Sequence, residues 1–479
     1  MKDLAPWSTE AMVAAMGARV RGPVPEAVTG LSIDSRTLAA GEAFFAIKGQ
    51  RDGHAFVPAA LEAGAGLAVV SEEKLAEMPS HAPLLVVPDV LAALTDLARA
   101  ARTRAKARVI AVTGSVGKTS TKEALRLVLS HCGATHASVA SYNNHWGVPL
   151  SLARMPAGTQ FAVFEIGMNH AGEIAPLSRL VRPHVAIITA VEPVHLEHFP
   201  SVEAIADAKA EIFLGVEPGG YAVINRDNPH YRRLRRAAEA RGLSVVTFGE
   251  HPEAEARLLR VSLTPESSAA EASILGVDVT YKIGAPGRHI VINSLAVLAA
   301  ASLVGADLAL TALGLATLEP PAGRGQRIVL GLTGGGEAIL IDESYNANPA
   351  SMRAALALLG QTPVGRYGRR IAVLGDMLEL GPAGRELHRG LVEPILAHGI
   401  DLVFCAGPLM LALWEALPSE RRGGYAETAA ALETQVISAI RAGDAVMVKG
   451  SLGSKMGPIV KALARRFPLR AADRVTARD

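Results

Sequence analysis

Val109-Ile-Ala-Val-Thr-Gly-Ser-Val-Gly-Lys-Thr-Ser-Thr-Lys-Glu-Ala-Leu-Arg-Leu-Val-Leu129 decides the reading of this chain. A short β-branched run enters a glycine-rich turn, which opens into a helical pattern with apolar residues at Ala124, Leu125, Val128 and Leu129. Strand, loop and helix in that order aim backbone N–H groups and a helix N-terminus at an anion. Gly114, Ser115, Val116, Gly117, Lys118, Thr119 and Ser120 form the expected phosphate cradle. In it Lys118 brings positive charge to the β/γ-phosphates and the Thr119 hydroxyl sits on the accompanying Mg2+. Val112 stands where the usual signature has its first glycine, but Gly114 and Gly117 keep the turn open. A nucleoside triphosphate site is the expectation, and a plain strand-to-helix turn the alternative.

Outward from this stretch, 479 residues exceed one ordinary core and suggest three domains. The net charge is +2 with both signs mixed, and aromatics make up 4%, so neither a basic stripe nor stacking surfaces call for nucleic acid. Cys132 and Cys405 lie far apart without a pairing pattern, which fits a reducing cytoplasm. The first ten residues carry Asp3 and Glu10 and lack the apolar run of a signal peptide. Residues 290–306 are uncharged but hold Asn293, Ser294 and Ser302, and fall short of the roughly 20 strongly apolar residues a bilayer demands. They read as a buried helix, and no membrane span is expected.

Residues 1–105 read as a small mixed α/β domain, with helices at 8–16 and 58–65 and strands at 44–47, 67–70 and 84–87. Asp34, Ser35 and Arg36 precede the first of these strands, and Lys48, Asp52, Gly53 and His54 follow it. Such polar turns suit an anionic ligand, or are simply solvated loops. Residues 99–108 form a charged helix end leading into the nucleotide strand.

Residues 106–322 alternate strands (109–112, 161–166, 185–188, 221–224, 244–248) with helices, as a largely parallel sheet requires. Polar groups gather just past the strand ends, where open α/β sheets present ligands. Glu165 ends its strand as a candidate Mg2+ ligand; alone, it would as readily be a surface carboxylate. His195 follows the strand 185–188, where a turn or cap histidine is the bland alternative. Lys209 lies on an expected helix over 202–214 and by itself reads as solvated. Residues 249–284 suggest hairpins on the sheet edge, with strands at 257–261 and 272–281. Arg288, His289 and Asn293 stand at the mouth of the buried helix, and 311–317 is again helical. The prolines and glycines of 320–331 mark a linker.

Residues 323–479 restart the alternation. Strands at 338–341, 371–374, 402–405 and 445–448 each stop in a polar loop, giving a second nucleotide-type domain and a cleft between domains.

Taken together, Thr113-Gly-Ser-Val-Gly-Lys-Thr119, Asp34-Ser-Arg36, Phe44-Phe-Ala46, Asp52-Gly-His54, Asn143-Asn-His-Trp-Gly-Val-Pro149, Gly375-Asp-Met-Leu-Glu-Leu-Gly381 and Lys449-Gly-Ser451 resemble the ATP-dependent Mur ligases of peptidoglycan synthesis. Glu165, His195, Lys209, His289, Asn293, Arg324 and the run from Asp342 to Pro349 belong to the same resemblance, which covers the whole chain. It implies an α/β fold of three domains: a small mixed N-terminal domain (1–105) for a UDP-linked substrate, a central P-loop domain (106–322), and a C-terminal Rossmann-like domain (323–479) completing the nucleotide and dipeptide site. Within the family it points to the branch that joins D-alanyl-D-alanine to UDP-N-acetylmuramoyl-tripeptide through an acyl phosphate, using ATP and two Mg2+ ions, as a cytoplasmic monomer.

By this resemblance Lys118, Glu165, His195 and Lys209 form the catalytic set, with Thr119, Glu165 and His195 at the metals and Lys209 carbamylated. A carbamate turns that cation into a carboxylate-like anion, which reverses the solvated-helix reading. His289, Asn293, Arg324, Asp342, Tyr345 and Asn348 would surround ATP beside the phosphate loop. Asp34, Ser35, Arg36, Phe45, Gly53, His54, Asn143 and Asn144 would meet the UDP-linked substrate. Ile290, Ala190 and Gly457 depart from residues common in this branch and alter the expected nucleotide contacts.

Overall fold

The computed structural model describes residues 7–49, 51–139, 141–194, 196–332 and 335–469. Three sheets carry the three parts of the chain, alongside one short two-stranded pairing of Trp7–Ser8 with Ala27–Val28.

The N-terminal sheet runs in the spatial order Arg19–Arg21, Leu84–Val87, Leu67–Ser71, Ala43–Phe45, Leu31–Ser32. All pairs are parallel except the first. Its central strands are buried on both faces, which is why they read as unbroken apolar runs. The helix Val90–Arg104, capped by the Asp89 side chain on Ala92 N–H, leads to the central sheet.

That sheet has nine strands, and its chemistry is set by the phosphate-loop strand Arg108–Thr113. The strand lies between Phe161–Glu165 on one side and Val185–Ile188 on the other, parallel to both. From here the chain order runs in opposite directions, so the phosphate loop stands at a topological switch point. The register places Glu165 opposite Val112 and Ile188 opposite Thr113, bringing both neighbouring strand ends level with the loop.

Beyond Ser244–Gly249 the sheet continues through an antiparallel meander, Ala256–Leu263, Ser268–Ile274 and Val277–Ile283. The single strand expected over 272–281 is therefore two, because Leu275 and Gly276 adopt left-handed φ values of 52° and 86° and reverse the chain. The buried helix is present as Arg288–Leu303, packed against the phosphate-loop helix Lys118–Ser130. Among the described residues no helix is long and apolar enough to cross a membrane. The helix expected over 202–214 ends at Ala210 and tightens into a 3-10 turn, Glu211–Gly215, where the Glu211 carboxylate accepts the N–H groups of Gly172 and Ala175.

The C-terminal sheet runs Gln326–Gly331, Glu337–Glu343, Ala445–Lys449, Arg370–Gly375, Leu402–Ala406, Arg422–Ala426. Its first strand corrects the linker drawn over 320–331. The proline and glycine punctuation stops at Gly325, and Gln326–Gly331 pairs antiparallel with Glu337–Glu343 as an edge strand. Only Leu330 of this strand is buried, so its apolar signal is weak.

The apolar cores divide unevenly. One cluster runs without a break from Trp7 and Leu31 through Leu94 and Leu97 to Val109, Phe164, Ile188 and Phe213. The N-terminal and central sheets thus share a core, while the C-terminal sheet has two clusters of its own. Trp7 Nε1 donates to the Ala153 carbonyl (2.9 Å), Arg104 stacks on the Trp7 ring (3.6 Å), and the Arg154 guanidinium donates through Nε to the Leu31 carbonyl (2.8 Å).

Candidate active site

The cradle is built by backbone approach. Gly117 begins the helix Lys118–Ser130 with φ +82°, and a Cβ on it would lie 2.6 Å from the Asn293 amide nitrogen. A Cβ on Gly114 would lie 2.0 Å from Thr189 Oγ1. Thr189 donates that hydroxyl to the Val116 carbonyl at 2.6 Å, and Ser115 N–H donates to the Ala190 carbonyl at 2.8 Å. The loop is thus pinned from the neighbouring strand end.

Lys118 folds back to donate to the Gly114 carbonyl (2.7 Å) and is half-buried at the base of the cleft. Surrounding protein pushes its pKa down, Glu165 opposes this, and Arg324 adds to it. Thr119 Oγ1 donates to Glu165 Oε2 at 2.8 Å, while Asn143 Nδ2 donates to Glu165 Oε1 at 2.7 Å. Glu165 is 1% exposed. A hydroxyl and a carboxylate converging beside a phosphate loop are the hard oxygen donors Mg2+ takes, so these residues fit the ion.

Lys209, 2% exposed, has no hydrogen bond or ion pair among the described residues. Burial, and secondarily the charge of Lys118, hold its pKa well below that of a free lysine. That favours the neutral amine, the form able to add CO2. His195 lies outside the described residues, so its expected place at a second metal has no structural account.

Across the cleft Arg324 stacks on the Tyr345 ring (4.3 Å) and donates to Ser141 Oγ (3.4 Å). Ser141 also lies 3.3 Å from Thr119 Oγ1. Sequence reasoning missed Ser141, and only its place two residues before Asn143 hinted at it. Asn293 covers Gly117, and His289 stands on the first turn of the same helix with part of its ring facing water. Surrounding protein pushes the His289 pKa down, with Glu343 opposing and Lys449 adding to the effect; because the ring meets water, its position matters more than the shift.

Two expected nucleotide residues have internal duties instead. Asp342 accepts from Gly323 N–H (3.1 Å), Ser344 N–H (3.0 Å) and Ser344 Oγ (2.6 Å), fastening the linker to the C-terminal sheet. Asn348 caps the helix Pro349–Gln361 through Ser351 N–H.

The N-terminal candidates form a separate cluster on their own sheet. Arg36 grips Asp34 (2.9 and 2.6 Å), and this holds the Asp34 carboxyl down at about 2 against the opposing effect of burial. His54 is 4% exposed, paired through Nδ1 with Asp52 (2.6 Å), while its Nε2 accepts from Ser71 N–H (3.0 Å). Phe45 is wholly buried in the shared core, so only its backbone can reach a ligand. Ser35 and Gly53 lie on the loops between these groups, and Asn144 caps the turn into Gly147–Ala153 through Gly147 N–H (2.9 Å).

Comparison with known proteins follows this division. The Mur ligase family, catalytic domain, matches residues 27–102; the Mur ligase middle domain matches 112–301; the Mur ligase, glutamate ligase domain, matches 325–452. A UDP-N-acetylmuramoyl-tripeptide–D-alanyl-D-alanine ligase from Rickettsia prowazekii is 32% identical, with 95% of this chain and 99% of that one aligned. The crystal structure of MurF from Acinetobacter baumannii superposes with a TM-score of 0.81 at 29% identity, covering 96% of this chain and 99% of the other. That of the MurF ligase from Thermotoga maritima in complex with ADP superposes with a TM-score of 0.73 at 25% identity, covering 91% and 97%. With the phosphate cradle, the Thr119–Glu165 pair and the buried Lys209 in one cleft, and relatives matched along nearly its whole length, this chain belongs to the Mur ligase family.

Proposed function

We propose that this protein is the ATP-dependent ligase that joins D-alanyl-D-alanine to UDP-N-acetylmuramoyl-tripeptide, releasing ADP and phosphate. The observation that carries this reading is the convergence of Lys118, Thr119 and Glu165 at the switch point, with Lys209 buried close enough for Lys118 to depress its pKa. The relatives' names supply the substrates.

A carboxylate is a poor acyl donor because its oxygen leaves badly. Transfer of the γ-phosphoryl group of ATP to the tripeptide carboxylate gives an acyl phosphate and ADP. The dipeptide amine then attacks the carbonyl carbon, phosphate leaves, the amine loses a proton, and an amide remains. Lys118 and the loop N–H groups hold the phosphates and spread the developing charge. Thr119 and Glu165 would hold Mg2+, which neutralises phosphate charge when bound. As a carbamate, Lys209 would add an anion to the same cleft; neutral amine and CO2 combine with release of one proton. Arg324, Tyr345 and Asn293 would flank the nucleotide, His195 would serve a second ion, and the Asp34–Arg36 cluster would receive the UDP end. The acyl phosphate hydrolyses in water, which gives a reason for enclosing it between domains.

Two unpaired thiols, Cys132 and Cys405, and the absence of a spanning helix among the described residues support a cytoplasmic site of action. The residues of the cleft come from one chain, which supports a monomer as the acting unit. The test is phosphate release with ATP, Mg2+ and UDP-N-acetylmuramoyl-tripeptide, with D-alanyl-D-alanine added or withheld. Dipeptide-dependent release with formation of the pentapeptide nucleotide is expected. Release that responds instead to a single amino acid overturns the choice of acceptor.

A further inference from the structure

Lys122 lies one helical turn beyond Lys118, and no part of it reaches solvent. Its Nζ donates to the Ser138 carbonyl at 2.7 Å and lies 2.6 Å from Glu123 Oε1. Glu123 is in turn held by Arg126 at 2.7 Å. A buried ammonium is costly to desolvate, and an apolar side chain would fill the space without that cost. What an apolar side chain cannot do is hold a carbonyl.

The carbonyl it holds belongs to the residue where the chain leaves the sheet. Thr135–Ala137 is the outermost strand of the nine, and Ser138 N–H makes its last sheet contact with the Val163 carbonyl at 3.3 Å. Three residues later Ser141 touches Thr119 and Arg324. Two residues after that, Asn143 donates to Glu165, while its carbonyl accepts from Gly167 N–H at 2.8 Å. The loop is therefore held at its far end by Gly167 and at its near end by Lys122. Both groups that hold the Thr119–Glu165 pair in place lie between those two anchors.

We infer that Lys122 is a positioning residue for the metal site: by fixing the Ser138 carbonyl it sets the loop that carries Ser141 and Asn143, and through them the geometry of Thr119 and Glu165. The inference rests on the proposed metal role of Thr119 and Glu165. It predicts an effect on Mg2+ use that exceeds any effect on the nucleotide alone.

The test compares the full-length protein with Lys122→Met, Lys122→Gln and Lys122→Arg. Thermal melts establish folding, calorimetry gives ADP affinity with and without Mg2+, and amide hydrogen exchange follows residues 138–143 in metal-free protein. In Lys122→Met, metal-free ADP affinity is expected to stay within twofold, the Mg2+ concentration for half-maximal effect to rise at least tenfold, and loop exchange to accelerate. Lys122→Arg, which keeps a charged donor, is expected to remain within threefold of the parent in its Mg2+ midpoint. Should Lys122→Met fail to fold, Lys122→Gln carries the same expectation, because its amide is one bond too short to reach Ser138. A folded Met or Gln variant with the parent's Mg2+ midpoint and loop exchange overturns the inference and leaves Lys122 a core residue. None of these measurements uses the tripeptide or the dipeptide, so failure of the ligase reading would appear separately, as phosphate release that ignores D-alanyl-D-alanine.

Discussion

Replacing Lys209 by methionine should make the protein more stable and less active at once, with a gap that depends on pH. The Lys209 side chain is 2% exposed and meets no carboxylate among the described residues. Its pKa is held well below the free-lysine value, first by burial and then by Lys118. Between the depressed folded-state pKa and the free-lysine value of about 10.4, the unfolded chain binds a proton that the folded chain does not. Folding stability therefore rises with pH through that window, by about 1.4 kcal/mol per pH unit at full slope. Methionine fills a similar volume and removes the titration. In CO2-free buffer at pH 7.5, Lys209→Met should melt above the parent. By pH 9.5 the parent should have gained up to about 2.7 kcal/mol on the variant, twice the slope for one unit. At about 2–4 °C per kcal/mol for a mid-sized domain, the melting gap narrows by several degrees. Thermal melts of both proteins at three pH values measure this directly. Parallel pH curves, or a parent that melts above the variant at pH 7.5, would refute the premise that Lys209 is desolvated without compensation.

Glu165→Gln keeps the volume of a 1% exposed side chain but removes its charge; it should fold normally, bind metal-free ADP, and lose about 10²–10³-fold in turnover, read by phosphate release. Asp342→Ala strips three hydrogen bonds from the linker and should cost about 1.5–3 kcal/mol per charged contact truly lost, with faster proteolytic cutting near Gly323. Unchanged cutting would mean the linker is held elsewhere. Arg36→Ala removes the main cause of the low Asp34 pKa, so NMR titration should show that carboxyl rising from about 2 towards the ordinary range near 3.9. In the same variant the KM for the UDP-linked substrate should rise while the KM for ATP stays constant.

The parts that could be read from sequence share a physical cause. Parallel strands buried on both faces leave unbroken apolar runs, and this exposed 67–71, 84–87, 109–112 and 185–188 to direct reading. The glycine-rich turn declared its own geometry through Gly114 and Gly117. What stayed hidden depends on direction and distance. Phe45 and His54 lie in a polar-flanked stretch that looks ligand-facing, yet the ring of one is in the core and that of the other is spent on Asp52 and Ser71. Gln326–Gly331 is an edge strand with one buried residue, too weak to stand out against the prolines and glycines before it. Ser141 acquires its meaning only when Arg324, 183 positions away, arrives across the cleft. Lys209 could not be told from a solvated helix lysine until its burial was visible.

The unbroken core from Trp7 to Phe213 bears on how the gene could be dissected. Three segments are recognisable along the chain, but only two are mechanically separable. Expressing residues 1–105 alone would bare Leu94, Leu97 and Ala101 and leave Trp7 without its partner at Ala153, so that fragment should aggregate. A cut within 319–325 crosses no continuous apolar core, and each side keeps clusters of its own. Fragment complementation, split reporters or isotope labelling of half the molecule should therefore be planned around that single seam.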